Sequence, residues 1–537
     1  MQNTGETGSP VFFCKFMKLF RPLQIQFTLA RYYDGTTEVI PMKQKYRTMA
    51  AALLAMTMIT GCSTSTAEES PAAEETAAES AAPEEKNKAP EGQPGELGGQ
   101  KPDGNPPEKP DGNGGPGGGP GGGPGGAPGS SSADLSYAGA YEITAGTKES
   151  GKTYTTSVSD ESALLIATAD DVKISDAVVT KSGDSDGGDN CNFYGLNAAV
   201  LVKDGGTVTI AGGTITSDAE GANGIFCYGG NGAKNGAGGD GTTVIIRNTE
   251  ITTTGNGSGG IMTTGGGITY AYDLTVNTSG RSSAPIRTDR GGGTVYVEGG
   301  SYTSAGLGSP AIYSTAEITV EDAELTSELS EGVVIEGKNS VTLNDCDLTA
   351  DNTKCNGNAT FLDSIMIYQS MSGDADSGTS SFTMTGGSLT SRSGHVFHVT
   401  NTSAVITLND VEIVNEDSEN VLLSVCDDGW SGAGNTAMLN ASAQELEGMI
   451  LVGDNSYLTL SLTDGSEFTG AVSGEITDAS GNTISTEAGT VDVTLDDSST
   501  WTLTADSYIT SFTGNADNVI TNGYTLYVNG TALTGTK

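Results

Sequence analysis

Residues 242–264 read TTVIIRNTEITTTGNGSGGIMTT and contain every part of the unit that this chain repeats. Val244 and Ile246 stand two residues apart, Ile251 follows five residues later, and Ile261 begins a third apolar segment. Apolar residues with a period of two are typical of strands that bury one side. The stretch therefore predicts three short strands joined by polar, glycine-rich turns.

The same spacing recurs along the chain, and internal repetition at a nearly fixed period indicates a repeat architecture. Successive copies lie about 23 or 36 residues apart, or near 41 and 51, which fits a coil of roughly 21 to 25 residues with variable loops. The copies are Val172-Ile174 with Val179, Val208-Ile210 with Ile215, Val244-Ile246 with Ile251, Val295-Val297 with Tyr302, Ile318-Val320 with Leu325, Val341-Leu343 with Leu348, Phe382-Met384 with Leu389, and Ile406-Leu408 with Ile413.

A third apolar segment follows most copies, so each coil is predicted to hold three strands. Stacking coils about 4.8 Å apart would line the interior with Val, Ile and Leu and would pair each backbone with the coils above and below. The predicted fold is all-β, a right-handed parallel β-helix solenoid. A propeller fits less well because its blades need roughly 40 to 50 residues and four antiparallel strands.

The segment before the repeats has the features of a lipoprotein leader. Residues 42–61 begin with basic residues and continue with an apolar run shorter than the roughly 20 residues of a membrane-spanning helix, which predicts a signal peptide. Ile59-Thr60-Gly61-Cys62 resembles a bacterial lipobox, and the resemblance implies that Cys62 is lipidated and forms the mature N-terminus. We expect residues 1–41 to be an extension that precedes the true start, Met42.

Residues 62–133 are predicted to be the lipidated cysteine and a disordered linker. KPDGN occurs twice, and GGPGGGPGGGPGGAPG runs from Gly114. Such a composition buries too little apolar surface to offset the entropy of ordering. The parallel β-helix is predicted over 134–490, and its C-terminal coils and cap over 491–537, since an open end would expose an edge strand.

From about Tyr137 to Gly530 the coils resemble the pectin-lyase-like right-handed β-helix superfamily. STWTLTADSYITSFTG from Ser499, and NGYTLYVNG from Asn522, resemble the closing coils of adhesin-like β-helices. With the lipobox and linker, the chain resembles β-helix surface lipoproteins of gut-type Gram-positive bacteria. The resemblance implies a fold more firmly than a reaction, because this scaffold hosts lyases, hydrolases and binding proteins.

The charge balance points away from nucleic acid. Lys and Arg number 25 against 67 Asp and Glu, a formal net charge of −42, whereas phosphate binding needs a basic surface. Strong acidity keeps an extracellular protein soluble and is compatible with divalent cations. Cys191, Cys227, Cys346, Cys355 and Cys426 lack metal-ligand spacing, so we expect them to be mostly buried.

The third-strand segments define a candidate ligand face. If Ile225, Ile261 and Ile286 point inward, an outward row holds Phe226, Met262, Arg287, Tyr313, Val334, Met366 and Phe397, and a second row holds Tyr228, Thr264, Asp289, Thr315, Glu336, Tyr368 and Val399. Aromatic rings beside charged groups suit a sugar chain. Two alternatives remain: an open groove, or aromatic residues packed beneath long loops.

The centre of this face holds the candidate catalytic residues, which are Arg287, Asp289, Arg290, Glu336 and Tyr368. In polysaccharide lyases of the superfamily that the coils resemble, a basic residue removes a proton next to a uronate carboxylate. The resemblance implies Arg290 or Lys338 as the base, Arg287 as the group that binds the carboxylate, and Tyr368 as the proton donor. A hydrolase would use Asp289 with Glu336. The alternative is a ladder of ion pairs that stabilises the stack. Candidate ligand contacts are Phe226, Tyr228, Tyr313, Lys338, Gln369 and Trp430.

The sequence also contains weaker motifs. Asp184-x-Asp186 and Asp374-x-Asp376 resemble calcium loops without full spacing, so Ca²⁺ is an optional cofactor and no other is expected. GGNGAKNGAGGDG after Tyr228 is predicted to be a flexible loop. His395 and His398 do not make a zinc site, and His398 is expected to face the core with Val396. Trp430 is either a binding tip or a lid.

Two functions remain open for a protein held by its lipid on the extracellular face of the membrane. The first is an adhesin or carbohydrate-binding protein, whose partner is a polysaccharide or a host or cell-surface molecule. The second is a polysaccharide lyase or glycoside hydrolase acting on an acidic polysaccharide. Enzymatic products would separate the two.

Overall fold

The computed structural model describes residues 28–33, 36–41 and 135–537. Thr28–Tyr33 and Thr36–Pro41 form an antiparallel pair. The signal peptide, Cys62 and the linker predicted over 62–133 lie outside the described residues. Within the described ranges no helix is long and apolar enough to cross a membrane.

Residues 138–532 form a parallel β-helix built from two long sheets, which confirms the predicted fold class. Sheet 1 has 15 strands. They are Glu142–Ile143, Leu164–Ala167, Val200–Lys203, Ile225–Tyr228, Ile261–Thr264, Ile286–Thr288, Ile312–Ser314, Val333–Glu336, Asp363–Tyr368, His395–Thr400, Val421–Val425, Glu445–Val452, Glu467–Ser473, Thr500–Leu503 and Val519–Ile520.

Sheet 2 has 22 strands. They are Thr147–Ser150, Thr153–Thr156, Val172–Ser175, Val178–Lys181, Thr207–Ala211, Thr214–Ser217, Thr243–Arg247, Glu250–Thr253, Gly267–Thr278, Gly293–Ser304, Glu317–Glu321, Glu324–Ser327, Ser340–Asn344, Asp347–Ala350, Thr379–Thr385, Ser388–Ser391, Ser403–Asn409, Glu412–Asn415, Asn435–Ser442, Ser456–Thr463, Thr490–Leu495 and Ser511–Thr513.

Short elements accompany the two sheets. Ala138–Gly139 pairs in parallel with Glu161–Ser162, and Glu475–Thr477 pairs antiparallel with Thr483–Thr486. Ser507–Ile509, Leu526–Val528 and Thr531–Ala532 form a three-stranded sheet near the C-terminus. The helices among the described residues are Asp189–Tyr194 and the 3₁₀ turn Ala516–Asn518.

Most coils before Val425 place two strand segments in sheet 2 and one in sheet 1, as the three-strand prediction requires. Val244 pairs with Val208, and Ile251 with Ile215, so equivalent residues of the repeat stack in register. From Asn435 onward the coils are simpler. Asn435–Ser442 and Ser456–Thr463 lie in sheet 2, and one longer strand, such as Glu445–Val452, runs directly into sheet 1.

The bend between the two sheet 2 segments needs a left-handed backbone, which Asn, Asp and Gly adopt most readily. Asn248, Asp273 and Asp322 have φ values of 48°, 51° and 52° at equivalent bends. Other coils use two glycines there. A Cβ on Gly213 would lie 2.1 Å from the carbonyl oxygen of Ala177, so only glycine fits this contact between coils.

The two sheets differ in what covers them. Strands of sheet 2 alternate buried with more exposed residues, as Thr207–Ala211 does, because only their inner side packs on the core. The sheet 1 strands in the middle of the helix, such as Ile225–Tyr228 and Asp363–Tyr368, are buried on both sides. One apolar core runs the length of the helix, and smaller clusters lie outside sheet 1 beneath loops. Long loops therefore create the surroundings of the candidate site.

The cysteines follow expectation. Cys191, Cys227, Cys346 and Cys426 are buried and Cys355 is partly exposed, and none of these five forms a disulfide.

Candidate functional site

The two outward rows of sheet 1 are present as predicted as far as Tyr368. Phe226 pairs with Met262, Met262 with Arg287, and Arg287 with Tyr313. Glu336 pairs with Tyr368 in the second row. The rows bring side chains from successive coils side by side, about 4.8 Å apart.

The prediction for the next strand was wrong by one residue. Phe397 pairs with Ile365, and His398 pairs with Met366. A slip of one residue reverses which side a residue faces, so His398 lies outside the core and Phe397 within it. Residues 396, 397 and 399 are all apolar, so the sequence is compatible with either register. The fold adopts the register in which Phe397 and Val399 face the core.

Loops cover the outward rows, so the alternative with aromatic residues packed beneath loops is the correct one. Phe226, Tyr228 and Tyr313 are at most 6% exposed. The ring of Tyr228 packs edge-on against Tyr194 of the short helix, with ring centres 5.8 Å apart. Trp430 is 4% exposed and packs on Tyr368 at 4.8 Å. Trp430 is therefore a lid residue and not an exposed tip.

Arg287 and Asp289 form a buried ion pair. Nη2 of Arg287 lies 2.9 Å from Oδ2 of Asp289, and Nη1 donates to the carbonyl oxygen of Ser282 at 3.1 Å and to Oδ1 of Asn192 at 3.3 Å. Burial raises the pKa of Asp289 to about 7, and the neighbouring guanidinium opposes that rise. The Arg287 guanidinium is therefore already occupied within the protein.

Glu336 is the centre of a hydroxyl cluster. Its Oε2 accepts hydrogen bonds from the hydroxyls of Tyr313 at 2.5 Å and Tyr368 at 3.0 Å, and its Oε1 accepts from Ser370 and, at 3.4 Å, from Ser372. Burial raises the pKa of Glu336, while these donors lower it. Burial also holds the pKa of both tyrosines well above the usual range. Tyr368 is thus a donor to Glu336.

Two further ion pairs hold the loop of residues 369–378. Arg290 contacts Asp374 through Nε at 3.0 Å and through Nη2, and its guanidinium stacks on Phe193 at 4.3 Å. Lys338 lies 2.9 Å from Asp376, with both side chains about half exposed. Gln369 donates to the carbonyl oxygens of Ser370 and Ala375. Of the two predicted calcium-like motifs, the aspartates of the second, Asp374 and Asp376, form ion pairs with Arg290 and Lys338.

An open cleft of about 590 Å³ lies beside these ion pairs. The loop of residues 229–241 and the loop of residues 369–378 form its sides, and Asn235 joins them by donating to the carbonyl oxygen of Gly373 at 3.1 Å. Thr315, Lys338 and Asp376 line it together with glycines 291–293. Among the predicted site residues, Lys338 is the one that lines this cleft.

A second polar cluster lies under Phe361, beyond the predicted site. Oγ of Ser424 lies 2.7 Å from Nδ1 of both His395 and His398, and Nε2 of His398 lies 3.4 Å from Asp428. With the His398 proton on Nε2 facing the carboxylate, Ser424 donates to Nδ1 of His398 and accepts from His395. Burial, reinforced by His398, lowers the pKa of His395 to about 3.

This connectivity is that of a nucleophile, a base and an orienting carboxylate. Ser424 and His398 are both 0% exposed, however, and the ring of Phe361 stacks on His398 at 4.7 Å. A substrate carbonyl therefore has no route to the Ser424 hydroxyl, and we assign the cluster a packing role. Within the described ranges no three His, Cys, Asp or Glu side chains converge as metal ligands.

The structure thus divides the predicted residues among separate groups. Phe226 and Tyr228 belong to a cluster beneath the short helix, whereas Tyr313, Tyr368 and Trp430 share another. The sequence reasoning missed Phe193, Ser370 and the pairing of Asp374 with Arg290. No local signal identifies that pair, because 84 residues separate its members.

Comparisons with models of protein families, with curated proteins and with solved structures found no match to this chain.

Proposed function

We propose that this chain is a lipid-anchored cell-surface protein whose β-helix binds carbohydrate, as an adhesin or a carbohydrate-binding protein. The lipobox at Ile59–Cys62 and the long Gly/Pro-rich segment support display outside the cell. The likeness of the coils to the pectin-lyase-like superfamily supports a polysaccharide as the partner. The fold alone does not carry the proposal, because one scaffold hosts many functions.

The observation that carries the proposal is the open cleft beside the ion pairs. Its volume of about 590 Å³ falls in the size range of small-ligand sites. Its walls combine glycines, which leave backbone amides near the surface, with Thr315 and the half-exposed pair Lys338–Asp376. Such a surface offers hydrogen-bond donors and acceptors to sugar hydroxyls.

The candidate catalytic groups favour binding over reaction. Arg287 and Asp289 contact each other, and Glu336 accepts four hydroxyl contacts. Neither carboxylate lines the cleft. A general acid or base must reach the proton that it transfers, and Arg287, Asp289 and Glu336 are at most 8% exposed.

A glycoside hydrolase is the second candidate, and one observation favours it. The pKa of Asp289 is raised to about 7, a value that suits a general acid at neutral pH. For this function the loop of residues 369–378 must move away so that Asp289 meets the substrate. Incubation with acidic polysaccharides, followed by assays for reducing ends and for unsaturated products, tests it.

The binding proposal is tested with the full chain on a glycan array, followed by titration calorimetry with the glycans that bind. We expect Lys338→Ala to weaken binding about tenfold or more, because it removes the one cation of the cleft wall. Lys173→Ala removes an exposed lysine of strand Val172–Ser175 and should leave affinity unchanged. No glycan bound by the wild-type chain, or equal affinity of both variants, contradicts the proposal.

The anchor is tested separately in cells by metabolic labelling with a fatty acid. Wild-type chain should incorporate the label and Cys62→Ser should not. Label retained by Cys62→Ser refutes lipidation at Cys62.

A further inference from the structure

Sheet 2 carries a group of tyrosines that are partly open to solvent. Tyr270 and Tyr272 lie on strand Gly267–Thr278, and Tyr296 pairs with Tyr270 on strand Gly293–Ser304. The residues between them, Ala271, Val295 and Val297, are buried in the core, so alternation turns the three tyrosines outward. We call Tyr270, Tyr272 and Tyr296, with Arg247, the tyrosine platform.

Contacts on the surface hold the rings of the platform in place. Tyr296 lies between the other two rings, with ring centres 6.3 Å from Tyr270 and 6.2 Å from Tyr272. Its hydroxyl donates to Oε2 of Glu321 at 2.8 Å. The guanidinium of Arg247 stacks on Tyr272 at 3.9 Å. Tyr270 is 37% exposed and Tyr272 and Tyr296 are partly exposed, so part of this aromatic surface is open to solvent. A rigid surface loses little entropy when a ligand binds.

The platform adjoins the cleft. Thr294 lines the cleft, and Tyr296 follows two residues later on the same side of the same strand. Glu317, which pairs with Thr294, also lines the cleft, and its strand continues to Glu321 beside Tyr296. A ligand that emerges from the cleft along these strands therefore reaches the tyrosines directly.

We propose that the tyrosine platform extends the cleft and binds an uncharged polysaccharide chain. The proposal rests on the carbohydrate binding proposed above and specifies its ligand class. Sugar rings present C–H faces that stack on aromatic rings, while their hydroxyls donate to carboxylates such as Glu298 and Glu321.

Charge selects among the possible chains. Glu298 and Asp273 are exposed next to the tyrosines, and the whole chain carries a net charge of −42, so an acidic polysaccharide would be repelled. A basic peptide would compete with Arg247, which already occupies the face of Tyr272. An uncharged chain meets neither obstacle.

Affinity electrophoresis of the full chain in gels containing soluble polysaccharides tests the inference. The panel holds uncharged glucans and galactomannans, with polygalacturonate as the acidic comparison. We expect retention by at least one uncharged polymer, and a loss of about tenfold in affinity for Tyr270→Ala. Tyr457→Ala is the matched control, because Tyr457 is 53% exposed on sheet 2 and pairs with Thr436 and Thr490, away from the platform.

Each outcome is decisive. If Lys338→Ala weakens retention and Tyr270→Ala does not, the platform is refuted while the cleft stands. If Tyr270→Ala weakens binding only to polygalacturonate, the uncharged ligand is refuted. If the wild-type chain is retained by no uncharged polymer but binds other glycans on the array, the platform inference fails and the proposed function survives. Equal losses for Tyr270→Ala and Tyr457→Ala also refute the platform.

Discussion

The hydroxyl of Tyr313 lies 2.5 Å from Oε2 of Glu336 on the adjacent strand of sheet 1, and both side chains are buried. A buried carboxylate that accepts several hydroxyl donors is stabilised where it lies, since those donors replace water. The pair therefore marks a structural centre beneath the loops, and its stability can be measured.

Removal of the Glu336 carboxylate should destabilise the β-helix. Glu336→Ala leaves the hydroxyls of Tyr313, Tyr368 and Ser370 without their acceptor, and we expect a loss of at least about 2 kcal/mol in the free energy of unfolding. Glu336→Gln retains an acceptor oxygen and should lose less. Urea denaturation measures both. Glu324→Ala, at an exposed position, should change stability by less than about 0.5 kcal/mol; a loss for Glu336→Ala as small as that would contradict the assignment.

The raised pKa of Asp289 predicts a dependence of stability on pH. The folded protein holds this proton to about pH 7, whereas the unfolded chain releases it near pH 4. The contribution of Asp289 to the free energy of unfolding is therefore complete below pH 4 and declines as the pH rises to 7. The variant Asp289→Asn should not show this decline in stability, because asparagine does not titrate. The stability of the wild type relative to Asp289→Asn should therefore fall between pH 4 and pH 7. The exposed control Asp171→Asn should track the wild type, and a rising difference would show that the sign is wrong.

Two glycines at the bend between sheet 2 segments should differ in how much stability the protein loses when each is replaced by alanine. Both Gly213 and Gly151 have positive φ, 79° and 63°, but a Cβ on Gly213 meets the backbone of Ala177 at 2.1 Å, while a Cβ on Gly151 meets nothing within 4 Å. We expect Gly151→Ala to cost about 1 kcal/mol and Gly213→Ala clearly more. Thermal unfolding compares them, and equal costs would show that close contact between coils is not what requires Gly213.

Trp430 should fasten the loop of residues 427–434 over Tyr368. Trp430→Ala leaves a cavity beside a buried ring and should cost about 3–5 kcal/mol, unless the loop opens and relieves part of that cost. Limited proteolysis should then cut within residues 427–434 in the variant and spare the wild type. Equal resistance of the two proteins would show that other contacts hold the loop.

Sequence reasoning predicted the coils well because their cause is local. Val244, Ile246 and Ile251 are buried, as are the residues at the equivalent positions of most coils. The Asn, Asp or Gly residues that precede the third of these positions suit the left-handed bend. The one slip, at His395–Thr400, arose where apolar residues satisfy two registers. Only the neighbouring strand decides between them.

Sequence reasoning predicted which residues form the outward rows of the candidate site, but not whether solvent reaches them. Alternation placed Arg287, Glu336 and Tyr368 outside sheet 1, but the covering loops are long, variable segments that no repeat specifies. The pairing of Arg290 with Asp374 depends on how such a loop folds back. The tyrosine platform was within reach of the same reasoning, since Tyr270 and Tyr272 alternate around the small inward residue Ala271.

A crystal structure of the full chain with an oligosaccharide selected on the array would show directly whether the cleft binds carbohydrate. We expect sugar density in the cleft, in contact with Lys338 and Thr315. Sugar bound only on another surface, or a chain that binds no glycan at any concentration tested, would contradict it.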